Sequence, residues 1–151
     1  YQADKFFIGL GINMIHIYCG IGFAFMMAMV VKRVEVAGVL APVALTWFAL
    51  FTGNFANTES ITPILRWVRY ISIFYLSYAG LAQNEFNGLE FSCDTSEDLC
   101  YKTGEHVIAA YALDAVSLWQ AVVIEFAVGT AFNIIAYMFL RWAAKPRFNW
   151  I

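Results

Sequence analysis

Charge is what this sequence has least of. Only 13% of its 151 residues are Asp, Glu, Lys or Arg, against 62% hydrophobic ones, and the mean hydropathy is +0.66. A soluble domain, about 45–50% apolar, must show water a largely polar surface, and too few polar residues remain here to build one. The surplus apolar area needs acyl chains, so the chain belongs in lipid. Lys and Arg number 9 and Asp and Glu 11, with no basic stripe, which excludes nucleic acid as a partner. No G-x-x-x-x-G-K-[ST] loop occurs, so phosphate-cradling chemistry is missing from these residues. No basic stretch leads into a short apolar run with a small-residue cleavage site, so no signal peptide is expected. With Tyr1 rather than Met in first place, the sequence reads as part of a longer one.

Long apolar runs are what it does have. A helix needs about 20 apolar residues to cross a hydrocarbon core about 30 Å thick. Four runs qualify for attention, at 6–31, 36–56, 64–82 and 117–144. The third differs, carrying Arg66 and Arg69 near its start and ending in Gln83, Asn84 and Glu85. Lys and Arg near span ends gather on the cytoplasmic side. If the third run turns back, Lys32 and Arg33 share one side with Arg141, Lys145 and Arg147, while Glu85, Glu90, Asp94, Glu97, Asp98 and Glu105 lie opposite. If it crosses, the basic loop and basic tail are parted. The expected fold is therefore all-α: a polytopic membrane protein with three spanning helices at 6–31, 36–56 and 117–142. A re-entrant or interfacial outer helix at 64–82, an extracellular loop at 83–116 and a cytoplasmic C-terminal tail complete it.

In that third run Thr62 is the expected N-cap and Pro63 the first helical residue. Arg66 and Arg69 share a face, and Trp67, Tyr70, Tyr75 and Tyr78 supply interfacial rings. Cys93 and Cys100 fall in the acidic loop, in a compartment that permits disulfides. A bridge between them closes a short loop, worth about 2–3 kcal/mol. Zinc held by Cys93, Cys100 and His106 lacks a fourth ligand and the paired C-x2-C spacing, so no metal is expected. Cys19, in mid-span, reads as a buried free thiol. The loop carries no N-x-S/T sequon, so no N-glycan is expected.

Inside the first span, Gly9, Asn13, His16, Gly20, Ala24 and Ala28 recur every three or four residues. Such a stripe looks into the protein, where small residues allow close approach and polar ones bond between helices. Ala121, Glu125, Gly129 and Asn133 repeat it in the last span. Asn13, His16, Glu125 and Asn133 are thus candidate intramembrane polar residues, either packing contacts or parts of a substrate or proton path. Pro42 removes a backbone donor and is expected to kink the second span. No catalytic constellation accompanies any of these residues.

The stretch Phe51-Thr52-Gly53-Asn54-Phe55-Ala56-Asn57, then Pro63-Ile64-Leu65-Arg66-Trp67, then Asn84-Glu85-Phe86-Asn87-Gly88-Leu89 resembles the White-type G family of ABC half-transporters. Cys100 shortly before Thr103-Gly104-Glu105, then Leu118-Trp119 and Ile135-Ala136-Tyr137, continue the likeness over nearly the whole chain. The resemblance implies the C-terminal part of the family's transmembrane domain, from its fourth helix to its sixth, in a plasma membrane or endomembrane. It implies a second half-transporter subunit, identical or not, with the second helix here lining a shared cavity. Leu45, Thr46 and Ala49 would face that cavity, and Asn54 and Phe55 would form its valve. It also implies a Cys93–Cys100 pair within one subunit, and ATP with Mg in a nucleotide-binding domain that these residues do not contain. The cargo implied is an amphipathic small molecule, a lipid, sterol or xenobiotic. Leu45 and Ala49 offer no ring for stacking flat aromatic drugs. The competing reading is a non-transporting multi-span anchor whose outer loop binds a partner.

Overall fold

The computed structural model describes residues 3–31, 33–50, 52, 63–92 and 101–144. Along them run α1 (Ala3–Val30), α2 (Val34–Leu50), a 3-10 helix (Pro63–Tyr70), α3 (Ile73–Phe86), α4 (Gly104–Ala110) and α5 (Leu118–Ala143). Among the described residues the one extended pairing is an antiparallel bridge between Glu90 and Thr103. At 1.5 Å per residue α1 and α5 reach about 42 and 39 Å, beyond the hydrocarbon thickness of a bilayer, and both are apolar enough to cross it. α2, at 17 residues, reaches about 26 Å and is too short alone. The remainder of its expected span, 51 and 53–56, lies outside the described residues, with Asn54 and Phe55 among them.

α1 and α5 pack along most of their lengths because small residues meet at their crossing. A Cβ on Gly22 would run into the amide of Asn133 and approach the Gly129 carbonyl to 3.0 Å. The buried line on α5 follows Ala121, Glu125, Gly129 and Ala136. On α1 it follows Ile12, Cys19, Gly22 and Phe23, so the face is rotated from the expected one, and Asn13, Ala24 and Ala28 are exposed in this chain. Phe23 fastens three helices, edge-on to Phe48 of α2 and to Phe132 of α5, with centroids 6.1 and 5.6 Å apart. The opposite faces carry exposed Met14, Ile17, Val123, Tyr137 and Met138, as helices in acyl chains do.

The third apolar run is two helices rather than one. Ser72 separates them, because its extended backbone and its Oγ, which accepts from Tyr75 N at 3.3 Å, start α3 afresh. Pro63 opens the 3-10 segment, while Thr62 lies outside the described residues. α3 is the best buried element. Tyr75, Leu76, Ala79 and Ala82 form a core with Ile108, Leu113, Val116 and Ala121.

The segment expected as one loop, 83–116, holds structure of its own. Gly88, at φ +79°, takes the turn after α3, a conformation that favours glycine. Thr103 caps α4 by accepting from His106 N. Gly104 follows because any Cβ there would collide with the Phe86 carbonyl. Ala112, at φ 50°, ends the α4 turn in the left-handed region, which points its carbonyl at Tyr75. Ser117 and Gln120 then start α5 with a reciprocal capping box. Cys93, Cys100, Lys145 and Arg147 lie outside the described residues.

Candidate functional site

One polar cluster sits where α1, α3 and α5 meet. His16 comes from α1, Ser77 from α3 and Glu125 from α5. Glu125 is 1% exposed. Its Oε1 lies 2.9 Å from His16 Nδ1 and accepts from Ser77 Oγ at 2.5 Å, and Ser77 Oγ is in turn 2.7 Å from the same Nδ1. With the Ser77 proton directed to Glu125, the proton between Nδ1 and the two oxygens is the imidazole's own. Nδ1–H therefore donates toward both. A carboxylate taken so far from water is held by two donors from two other helices, which is how an intramembrane acid becomes tolerable.

The arrangement limits the chemistry. A nucleophilic serine relay puts the hydroxyl on one imidazole nitrogen and the acid on the other. Here Ser77 and Glu125 share Nδ1, so the serine has no base behind it. What the cluster can do is bind three helices through one carboxylate. The His16 side chain is 30% exposed, and its ring tilts against Phe74 at 5.5 Å.

The other candidate residues stand apart. Asn13 is exposed, and its Nδ2 donates to Gly9 O of its own helix. Asn133 Nδ2 donates to Gly129 O beside Gly22. Cys19 is a buried free thiol. On α2, Leu45 and Ala49 are half-buried and Thr46 is exposed. Thr46 Oγ1 donates to Pro42 O at 2.8 Å, back-bonding across the turn that follows Pro42, whereas the turn that Pro42 loosens is the one before it.

Reading the sequence alone misses Ser77, and it misses Gln83 and Asn84 as anchors. Gln83 Nε2 donates to Leu113 O and Val116 O, both at 2.7 Å, and Asn84 Nδ2 to Lys5 O at 2.8 Å. Both are nearly buried. Two amides closing an apolar helix were the available signal, since such groups must find partners when buried.

Comparison with known proteins supplies what geometry does not. The profile of the ABC-2 type transporter family matches residues 1–86. ABC transporter G family member 2 of Dictyostelium discoideum is 35% identical over 65% of this chain, which covers 7% of that relative. The bovine broad substrate specificity ATP-binding cassette transporter ABCG2 is 28% identical over 95% of the chain and 23% of its own length. The white protein of Drosophila melanogaster is 26% identical over 83% of the chain and 19% of its own. The chain therefore spans less than a quarter of the length of each of these relatives.

Proposed function

Because the chain belongs to the ABC-2 type transporter family, and within it matches G-family half-transporters, we propose that it is the C-terminal part of the membrane domain of an ATP-driven exporter. The cargo is an amphipathic small molecule, a lipid, sterol or xenobiotic, moved by alternating access. ATP and Mg act in a nucleotide-binding domain outside these 151 residues. The domain pairs with a second half-transporter subunit. Its C-terminal tail is cytoplasmic, and the segment between α3 and α5 faces away from the cytoplasm.

The observation that carries this reading is α2. It has no buried residue in this chain, although it is apolar throughout its interior. A helix left so open by its own chain has faces free for a second subunit and a cargo cavity as well as for acyl chains, which supports this reading. Pro42 leaves the turn before it without one backbone bond and Thr46 back-bonds in the turn after it, which suits a helix that moves. The bridge between Glu90 and Thr103 brings together the two ends of the segment that carries Cys93 and Cys100, which supports a disulfide there.

The test uses the whole transporter in proteoliposomes. Ala49→Phe or Thr46→Phe should change which fluorescent amphiphiles are exported while ATP hydrolysis continues. An unaltered cargo profile in both variants would remove α2 from the cavity wall.

A further inference from the structure

A cavity of about 640 Å³ opens between the end of α3, α4 and the start of α5, within the size range of small-molecule sites. Ile108, Ala109, Ala115 and Val116 supply its apolar part. Two carboxyls, Glu105 and Asp114, line it as well, and no Lys or Arg does. Glu105 keeps its charge, because its own backbone N–H and that of Gly88 hold its carboxyl below the ordinary range. Asp114 is exposed, and among the described residues no donor or cation meets its carboxylate. The ammonium of Lys5 is spent on the Glu85 and Asn87 carbonyls.

Gln83 adds a third acceptor from within. It lines the same cavity and is 7% exposed. Its Nε2 is fixed by the Leu113 and Val116 carbonyls, which leaves its Oε1 turned away from them. Among the described residues nothing donates to that oxygen, and it is not sealed in the interior, so it opens on the space that Gln83 lines. Asp114 directly follows Leu113, which keeps its carboxylate close to the Gln83 amide. The start of α5 also reaches the cavity, but its capping box already occupies Ser117 N and Gln120 N, so it offers neither to an anion. The cavity is thus short of donors and rich in acceptors.

We propose that this cavity binds a protonated primary or secondary amine with a small apolar body, its N–H groups donating to the Asp114 carboxylate and the Gln83 oxygen and its apolar part lying on Ile108, Ala109 and Val116. A quaternary ammonium has no N–H to give, and no Phe, Tyr or Trp lines the cavity to hold it by a ring face. A metal ion is disfavoured too, since among the described residues no three His, Cys, Asp or Glu side chains are grouped to hold one. The site lies apart from α2 and does not depend on export. On the topology proposed above, it faces away from the cytoplasm.

The experiment places the full transporter in nanodiscs without ATP and follows para-fluorobenzylamine by fluorine NMR, with empty nanodiscs as the blank. The wild type should broaden the signal beyond the blank. Benzylamine should displace the probe, whereas benzyl alcohol, benzoate and benzyltrimethylammonium should not. Asp114→Asn should weaken binding about tenfold, the usual loss when a hydrogen bond to a charged group goes. Ala109→Phe, which fills the cavity from an exposed position of α4, should weaken it severalfold. Glu90→Gln removes an exposed acid that does not line the cavity and should leave binding unchanged. Melting curves matching the wild type show that each variant is folded. The proposal is overturned if the wild type binds no more than empty nanodiscs, as when another subunit or segment covers the cavity. It is equally overturned if Glu90→Gln weakens binding as much as Asp114→Asn, if benzyltrimethylammonium competes as well as benzylamine, or if millimolar Ca²⁺ displaces the probe. Binding is read without transport and from both faces of the disc, so a failed export assay or a reversed topology leaves the result standing.

Discussion

Gly129 of α5 lies against the backbone of Cys19 of α1, so closely that a Cβ on Gly129 would stand 3.0 Å from the Cys19 Cα. That contact sets the crossing of the two spanning helices, and it sits one turn from Glu125 and from His16. Gly129→Ala should force the helices apart by tenths of an ångström, and Gly129→Leu should cost about 1–3 kcal/mol through overpacking. Thermal melting in detergent measures the loss. A melting point unchanged in Gly129→Leu would show that the crossing is not fixed there.

The polar cluster predicts a non-additive pair. Removing one partner of a buried ion pair or its equivalent strands the other, typically for about 3–5 kcal/mol, whereas replacing both with apolar groups is often close to neutral. His16→Leu should therefore destabilise the protein strongly, because Glu125 is left with Ser77 alone. His16→Leu with Glu125→Leu should recover most of the loss. Melting of the four members of this double-mutant cycle checks it, and additive losses would show that the two side chains act independently.

Glu105, at the start of α4, carries a pH dependence whose sign follows from its contacts. Its carboxyl is held below the ordinary carboxylate range, first by its own backbone N–H and then by that of Gly88, which donates to Oε1 at 3.1 Å. A depressed value means that the stabilisation is present above the ordinary range, about pH 4.3, and is lost as pH falls through the lowered value. Hydrogen exchange at the Gly88 amide should thus keep its protection from pH 7 to about pH 5 and lose it only in stronger acid. In Glu105→Ala, protection at pH 7 should already be low and show no acid step of its own.

The membrane-embedded, all-helical character could be read from composition and run length, because the hydrophobic effect acts on averages. The third run could not be divided from sequence, since Ser72 looks like any serine inside an apolar stretch until its hydroxyl is seen taking Tyr75 N and giving to Phe48 O. α4 was hidden because seven residues give too little periodicity to rise above a polar loop. On α1 the small and polar stripe is only partly the buried one: His16 meets α3 and α5, but Ile12 and Phe23 fill the interior through their size, while Asn13 satisfies itself on Gly9. His16 and Glu125 were each visible as costly residues at depth. Their meeting was not, because it depends on the Gly129 crossing and on a serine from a third helix.

α3 hangs from its surroundings by donors that reach main-chain oxygens. Ser72 takes Phe48 O, Tyr75 takes Ala112 O, Gln83 takes Leu113 O and Val116 O, and Asn84 takes Lys5 O. Every amino acid brings the same oxygen, so these bonds themselves ask nothing of the side chains at the receiving positions, although Leu113 and Val116 also pack against α3 in its core. The demand is one-sided: a donor side chain is required of four residues of the guest and of none of the hosts, so in divergent relatives a substitution at Gln83 would signal a differently seated helix.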